Sequence, residues 1–143
     1  MSTRPLALIL MMSVACALSQ DCSGSNKKVG DLFDSYKFPS YDGATHLCGE
    51  SVLANVAEIR WDAFSSPDSV EKVISFYEKK LGKEGFEREG DGGEWKLPAG
   101  SDKPERIIEI LPIGAQAPYQ ECENKPAASS KSIIMVSQIM RKK

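Results

Sequence analysis

The chain contains a single histidine, His46, and that scarcity closes off much chemistry. No H-x-x-x-H pair, no C-x-x-C pair and no Asp-rich loop of the calcium type occurs, so the familiar metal-ligand spacings are missing. No G-x-S-x-G is present, and a Ser-His-Asp triad would have to be assembled around His46 alone. The one glycine cluster, Gly90-Asp91-Gly92-Gly93, lacks the following Lys-Ser/Thr and the helix that a phosphate loop needs. No basic stripe is present: net charge is -2 over 143 residues with the signs interspersed, which argues against a nucleic-acid partner. There are no repeats and no low-complexity tract. No apolar run reaches the roughly 20 residues that a spanning helix takes.

What is present starts with a leader. Arg4 gives a short positive start, and Leu6 to Leu18 is an uncharged apolar run of signal-peptide length. Residues 1–19 are therefore predicted to be a signal peptide, 20–38 a polar spacer and 39–143 a single α+β domain. Ala17-Leu18-Ser19 offers small residues for leader cleavage before Gln20, and Ala15-Cys16-Ala17 offers a second site. Ser13-Val14-Ala15-Cys16 also resembles a bacterial lipobox, with Ser13 where that motif usually has leucine. A freely secreted protein and a lipoprotein anchored at Cys16 both remain open. Export would place the later cysteines in an oxidising compartment. Cys48 and Cys122 both fall inside the expected domain and are predicted to pair, closing a loop worth about 4 kcal/mol in the chain-entropy model. Cys22 is left over in the spacer, and Cys22–Cys48 is the rival connectivity.

The best-specified element runs from Ser65 to Gly82. Val70, Val73, Ile74, Tyr77 and Leu81 fall on one helical stripe. Ser66 is expected to cap its start with Pro67 in the first helical position. Lys79 and Lys80 suit the negative end of the dipole, and Gly82 suits the left-handed stop. Phe76 lies off the stripe. Upstream, Val29, Leu32, Phe33 and Tyr36 have helical spacing, which gives a short helix over Asp31 to Tyr36. Asp42-Gly43 reads as a turn.

Ser51 to Phe64 reads as one or two strands. Ala57, Ile59, Trp61 and Ala63 share one face, and Glu58, Arg60 and Asp62 share the other, expected to be the wet one. Gly85 to Glu89 and Glu94 to Leu97 read as a hairpin about the glycine cluster. Glu105 to Ile113 is apolar enough at its centre for a buried strand, and Ser132 to Met140 closes the chain as the last one. Gly114 to Ser130 is long for a connection, as a functional or disulfide-held loop would be. The fold class is α+β, with one main amphipathic helix packed on a mostly antiparallel sheet of about five strands.

Candidate chemistry is thin. A Cys–His nucleophile at Cys48 and His46 needs a free thiol and a residue to orient the imidazole, and no such residue is evident. A surface histidine beside a structural cysteine accounts for the pair better. His46, Cys48 and Glu50 at alternate positions would make a weak metal site if reduced. The carboxylate pairs Glu87 with Glu89 and Glu58 with Asp62 read as solvated strand faces rather than acid and base. Trp95 reads as core or rim.

The run Pro39-x-Tyr41-x-Gly43-Ala44, then Ser66-Pro67-Asp68-x-Val70, Phe76-Tyr77-x-x-x-Leu81 and Gly85-Phe86 resembles a pattern found in small, largely uncharacterised exported bacterial proteins and lipoproteins. The resemblance covers roughly residues 39 to 140. It implies a fold and a compartment, but no activity, and it carries no functional residues. The Cys48 and Cys122 pair is not part of that pattern. The expectation that follows is a non-enzymatic binding or interaction module of the cell envelope, in the periplasm, on the outer membrane or outside the cell. It would need no catalytic residues, cofactor or metal. Its partner would be a protein or a small ligand, with a membrane tether if Cys16 carries lipid. The alternatives are a small secreted hydrolase or hydrolase inhibitor, and a redox protein using Cys48.

Overall fold

The computed structural model describes residues 28–143; the expected signal peptide, with Cys16, and most of the expected spacer, with Cys22, lie outside the described residues. The elements run α1 (Val29–Ser35), β1 (Thr45–Leu53), β2 (Ala57–Ser66), α2 (Val70–Leu81), β3 (Phe86–Glu89), β4 (Gly92–Leu97), β5 (Glu105–Pro112), a 3-10 turn (Pro118–Glu121) and β6 (Ser132–Arg141). The fold is α+β. Six strands, not five, form one open sheet in the order β1-β2-β6-β5-β4-β3, and every pairing is antiparallel. The extra strand is β1, which starts at Thr45 and turns at 54–56 into β2. Consecutive strands are neighbours except β2 and β3: the chain crosses through α2 to the far edge and works back, so that β6 lies between β2 and β5.

The expected stripe of α2 is the buried one: Val73, Ile74 and Tyr77 are inaccessible or nearly so, and Val70, Leu81 and Phe76 are partly buried against the same core. Its start is one turn later than predicted. Ser69 is the cap, its Oγ accepting from Lys72 N at 3.2 Å. Ser66 is instead a fully buried strand end whose Oγ accepts from Asp68 N at 3.0 Å. A serine two residues before an amide can turn the chain locally just as well as it can cap a helix. Gly82 stops the helix as expected, at φ 81°, and its carbonyl accepts from Trp95 Nε1 at 2.8 Å. The indole of β4 thus pins the helix end.

Residues 29–38 are not the tail of a spacer in this structure. α1 places Phe33, Tyr36 and Phe38 in the core beside Phe64. The helix closes with Lys37 N donating to Asp34 O and Phe38 N donating to Phe33 O, the paired bonds of a Schellman end.

Neither side of β2 is simply wet. Phe64 packs under the helices with Ile108, Ile110, Ile134 and Val136, while Ala63 packs on the reverse side with Leu47, Ile133 and Met135. The alternation matches the expectation, but the side expected to be wet is covered over Arg60 and Asp62. Arg60 and Asp62 lie on the helix side, where α1 covers them, and Ile59 lies on the reverse side, 36% exposed. The reverse side is covered near its centre by the loop after β5. That loop is held by the Cys48–Cys122 disulfide, by Tyr119, and by Asn124 Nδ2 donating to Leu47 O at 3.1 Å.

The glycine cluster resolves into a two-residue turn, Gly90-Asp91, and a strand start at Gly92. A Cβ at Gly93 would meet the Phe86 ring, so this glycine lets the aromatic lie across the hairpin onto Trp95.

Ile74→Ala is expected to cost about 2–5 kcal/mol in urea unfolding, because it opens a cavity at a buried site, 3% exposed. Leu81→Ala, at the half-exposed end, is expected to cost clearly less. Equal costs would mean that the helix packs on another face. Cys122→Ser is expected to lower stability by up to about 4 kcal/mol while leaving the far-UV spectrum unchanged.

Candidate functional site

The residues singled out in the sequence do not converge. Cys48 is bonded to Cys122, with Cα atoms 5.5 Å apart, so it has no thiol to offer. A register shift between His46 and Cys48 also sends them to opposite sides of the sheet. His46 pairs with Phe64 on the helix side and Cys48 with Ala63 on the reverse side. Alternate residues of a regular strand would share a face, and the irregularity at Leu47 defeats that expectation. Glu50 is on the reverse side with Cys48, so the three do not form a metal site.

The imidazole does have an orienting partner, which the sequence did not reveal. His46 Nε2 lies 2.8 Å from Asp62 Oδ1, and Tyr36 OH donates to Asp62 Oδ2 at 2.6 Å. Burial, and then the bond to Asp62, push the Tyr36 phenol above its ordinary range, which keeps its proton on the donor side. Asp62 is 9% exposed and is seated in this way because its cross-strand neighbour is Gly49. A Cβ on Gly49 would collide with the Asp62 carboxylate. Asp62 is therefore not half of a solvated pair with Glu58, which accepts from Ser51 Oγ at 3.1 Å.

A second polar group sits at the β3 edge. Ligand atoms of Glu87, Glu89 and Glu94 lie within 4.8 Å of one another on the reverse side. Glu94 is buried and 3.2 Å from Lys96 Nζ, and its neighbour across the next strand is Glu109. Desolvation first, then the charges of Glu94 and Glu89, raise the Glu109 carboxyl above its ordinary range. The geometry is that of a row of carboxylates with one compensating ammonium.

The third group is a cleft. Arg60 on β2, Gln138 on β6 and Arg106 on β5 are direct cross-strand neighbours on the helix side. The two guanidinium groups grip the end of α1. Arg60 donates to Ser35 O at 3.2 Å and lies over the Tyr36 ring; Arg106 donates to the carbonyls of Tyr36 and Lys37 at 3.0 and 2.8 Å. These carbonyls carry the negative end of the helix dipole, so cations suit them. Beyond this grip, between the end of α1 and the β4–β5 loop, opens a cleft of about 470 Å3. Lys37, Lys103, Arg106 and Gln138 give it polar walls, Pro104 and Met140 give it apolar ones, and Asp102 is its one carboxylate.

Two features of this cleft distinguish it from ordinary surface. Lys37 holds φ 61°, the left-handed position that glycine normally takes at a helix end, and a non-glycine residue there costs about 1 kcal/mol. Among the described residues, neither Lys37, Lys103 nor Arg106 has a salt-bridge partner, although the chain has a net negative charge. Sequence pattern does not single out the residues of the cleft. Lys37 gave the only local signal: a lysine ahead of Phe38-Pro39, where a helix should end.

Comparison with protein-family models, with curated proteins and with solved structures finds no match.

Two variants test these assignments. Gly49→Ala is expected to displace the Asp62 carboxylate, cost about 1–3 kcal/mol, and shift the His46 ring resonances; unshifted resonances would refute the contact. Glu109→Gln tests the acidic row. Because the folded carboxyl titrates high, ionising it opposes folding, and the loss sets in as pH rises through the ordinary glutamate range. The variant should therefore melt higher than the parent at pH 7, and the gain should fade below about pH 4. A gain that persists in acid would show that the charge is not the cause.

Proposed function

We propose that the chain is an exported, non-enzymatic binding module of the bacterial cell envelope, whose ligand seats in the cleft at the end of α1. The cleft itself carries this reading. It is concave, of a size usual for small-ligand sites, and walled by convergent polar groups on elements fixed to the sheet. The disulfide supports an oxidising compartment. Among the described residues no helix is long and apolar enough to cross a membrane. A tether in this reading is a lipid on Cys16. Mass spectrometry of the protein from its native envelope separates the two forms. An acylated Cys16 at the N-terminus marks a lipoprotein, and Gln20 at the N-terminus marks simple cleavage.

One observation favours the runner-up, a small secreted hydrolase or hydrolase inhibitor: the His46–Asp62 pair has the geometry of a base and its orienter. Cys48, the nucleophile that lies nearest in sequence, faces the other side of the sheet in a disulfide. The two readings separate by where small molecules bind. A fragment panel followed by amide NMR is expected to perturb Ser35, Lys37, Arg106, Gln138 and Met140. Perturbations centred on His46 and Asp62, abolished by His46→Ala, would favour the hydrolase instead.

A further inference from the structure

We infer that the cleft takes a small organic anion: one carboxylate- or phosphate-type group on a short apolar body. This rests on the binding-module reading and goes further by naming the chemistry of the ligand. Lys37, Lys103 and Arg106 set three positive charges around the space against the single carboxylate of Asp102. An anion is the ligand that such an excess leaves room for.

Arg106 is the group that would orient it. One terminal nitrogen of the guanidinium is committed to the carbonyls of Tyr36 and Lys37, and the Phe38 ring lies 5.2 Å from its central carbon. The side chain is thus held at three points. Among the described residues, its Nε and second terminal nitrogen make no hydrogen bond. Those two adjacent N–H groups form the edge of the guanidinium that matches a carboxylate or phosphate in parallel bonds. An arginine already ordered by the protein loses little further side-chain freedom on binding.

Lys37 and Lys103 contribute charge from opposite walls. The lysine at 37 occupies a backbone conformation in which glycine would be less strained, so the strained residue also supplies a cation to the cleft. Pro104 and Met140, the latter 48% exposed, offer apolar surface beside the charges. A purely inorganic ion would leave that surface in water, whereas an apolar body of a few carbons would cover it.

The test uses the purified protein, with benzoate, hexanoate and inorganic phosphate as probes, benzamide and hexanamide as uncharged counterparts, and vesicles containing phosphatidylglycerol. The expected result is that benzoate or hexanoate perturbs the amides of Lys37, Arg106 and Gln138, that the matching amide binds at least about tenfold more weakly, and that phosphate competes. Lys103→Met, in an exposed loop, is expected to weaken the carboxylate about tenfold without altering the melting temperature. Arg106→Lys keeps the charge but loses the fork, and is expected to weaken it as well. Equal binding of acid and amide in the cleft would overturn the anion inference while leaving the binding-module reading standing. No binding of either in the cleft would remove both. Binding to the vesicles alone, with no soluble anion perturbing the cleft, would assign the charges to a membrane surface and overturn the inference.

Discussion

Ser132 to Val136 are five consecutive buried residues on one strand. A strand turns successive side chains to opposite faces, so burial without alternation means that both faces of the sheet are covered at that point. Much of the architecture answers to this constraint. Ile134 and Val136 need the helix layer, and α2 with α1 supplies it. Ile133 and Met135 need cover on the reverse side, where no α-helix of the described residues packs. The long loop after β5 provides it with Tyr119 and Cys122, and the disulfide to β1 holds that loop down. A loop with little regular structure makes a poor lid unless something reduces its freedom, and a cross-link across 74 residues does so.

The same constraint explains where the polar groups on the helix side lie. α1 is only seven residues long, too short to be helical in isolation, so it exists because the sheet holds it. Phe33 stacks on Phe64, and Tyr36 reaches Asp62. Arg60 and Arg106 bind the carbonyls at its end. Those polar groups face the helix layer yet are satisfied by it, as buried polar groups must be. The exception is Arg60 Nε, the one buried side-chain polar atom without a partner among the described residues. The cleft is the remainder of this arrangement, the part of the arginine row and its surroundings that α1 does not cover.

Two regions gather charges mainly of one sign. Carboxylates collect on β3, β4 and β5, at Glu87, Glu89, Glu94 and Glu109, while cations collect where α1 meets the β4–β5 loop. At the β3 edge the acidic row has a plain structural role, because charged side chains on a short edge strand discourage pairing with another chain. No such role accounts for Lys37 and Lys103, which lie beside the sheet rather than along an exposed edge, or for the edge of Arg106 that does not hold α1. That contrast is why the cleft, and not the carboxylate row, carries the functional reading.

Local chemistry settled the elements whose information is local. The α2 stripe, its stop at Gly82, the turn at Asp42-Gly43 and the hairpin at Gly90 follow from contacts three or four residues apart, or from the positive φ of glycine. The pairing of Cys48 with Cys122 was also legible, because the other cysteines fall outside the expected domain. Only the tertiary structure decided which side of β2 is covered, and that His46 meets Asp62. It alone set Arg60, Gln138 and Arg106 in one row. Each of these depends on strand register and on a distant segment coming to rest at one place. Alternation along a strand specifies two faces, but it does not say which segment will arrive to cover either of them.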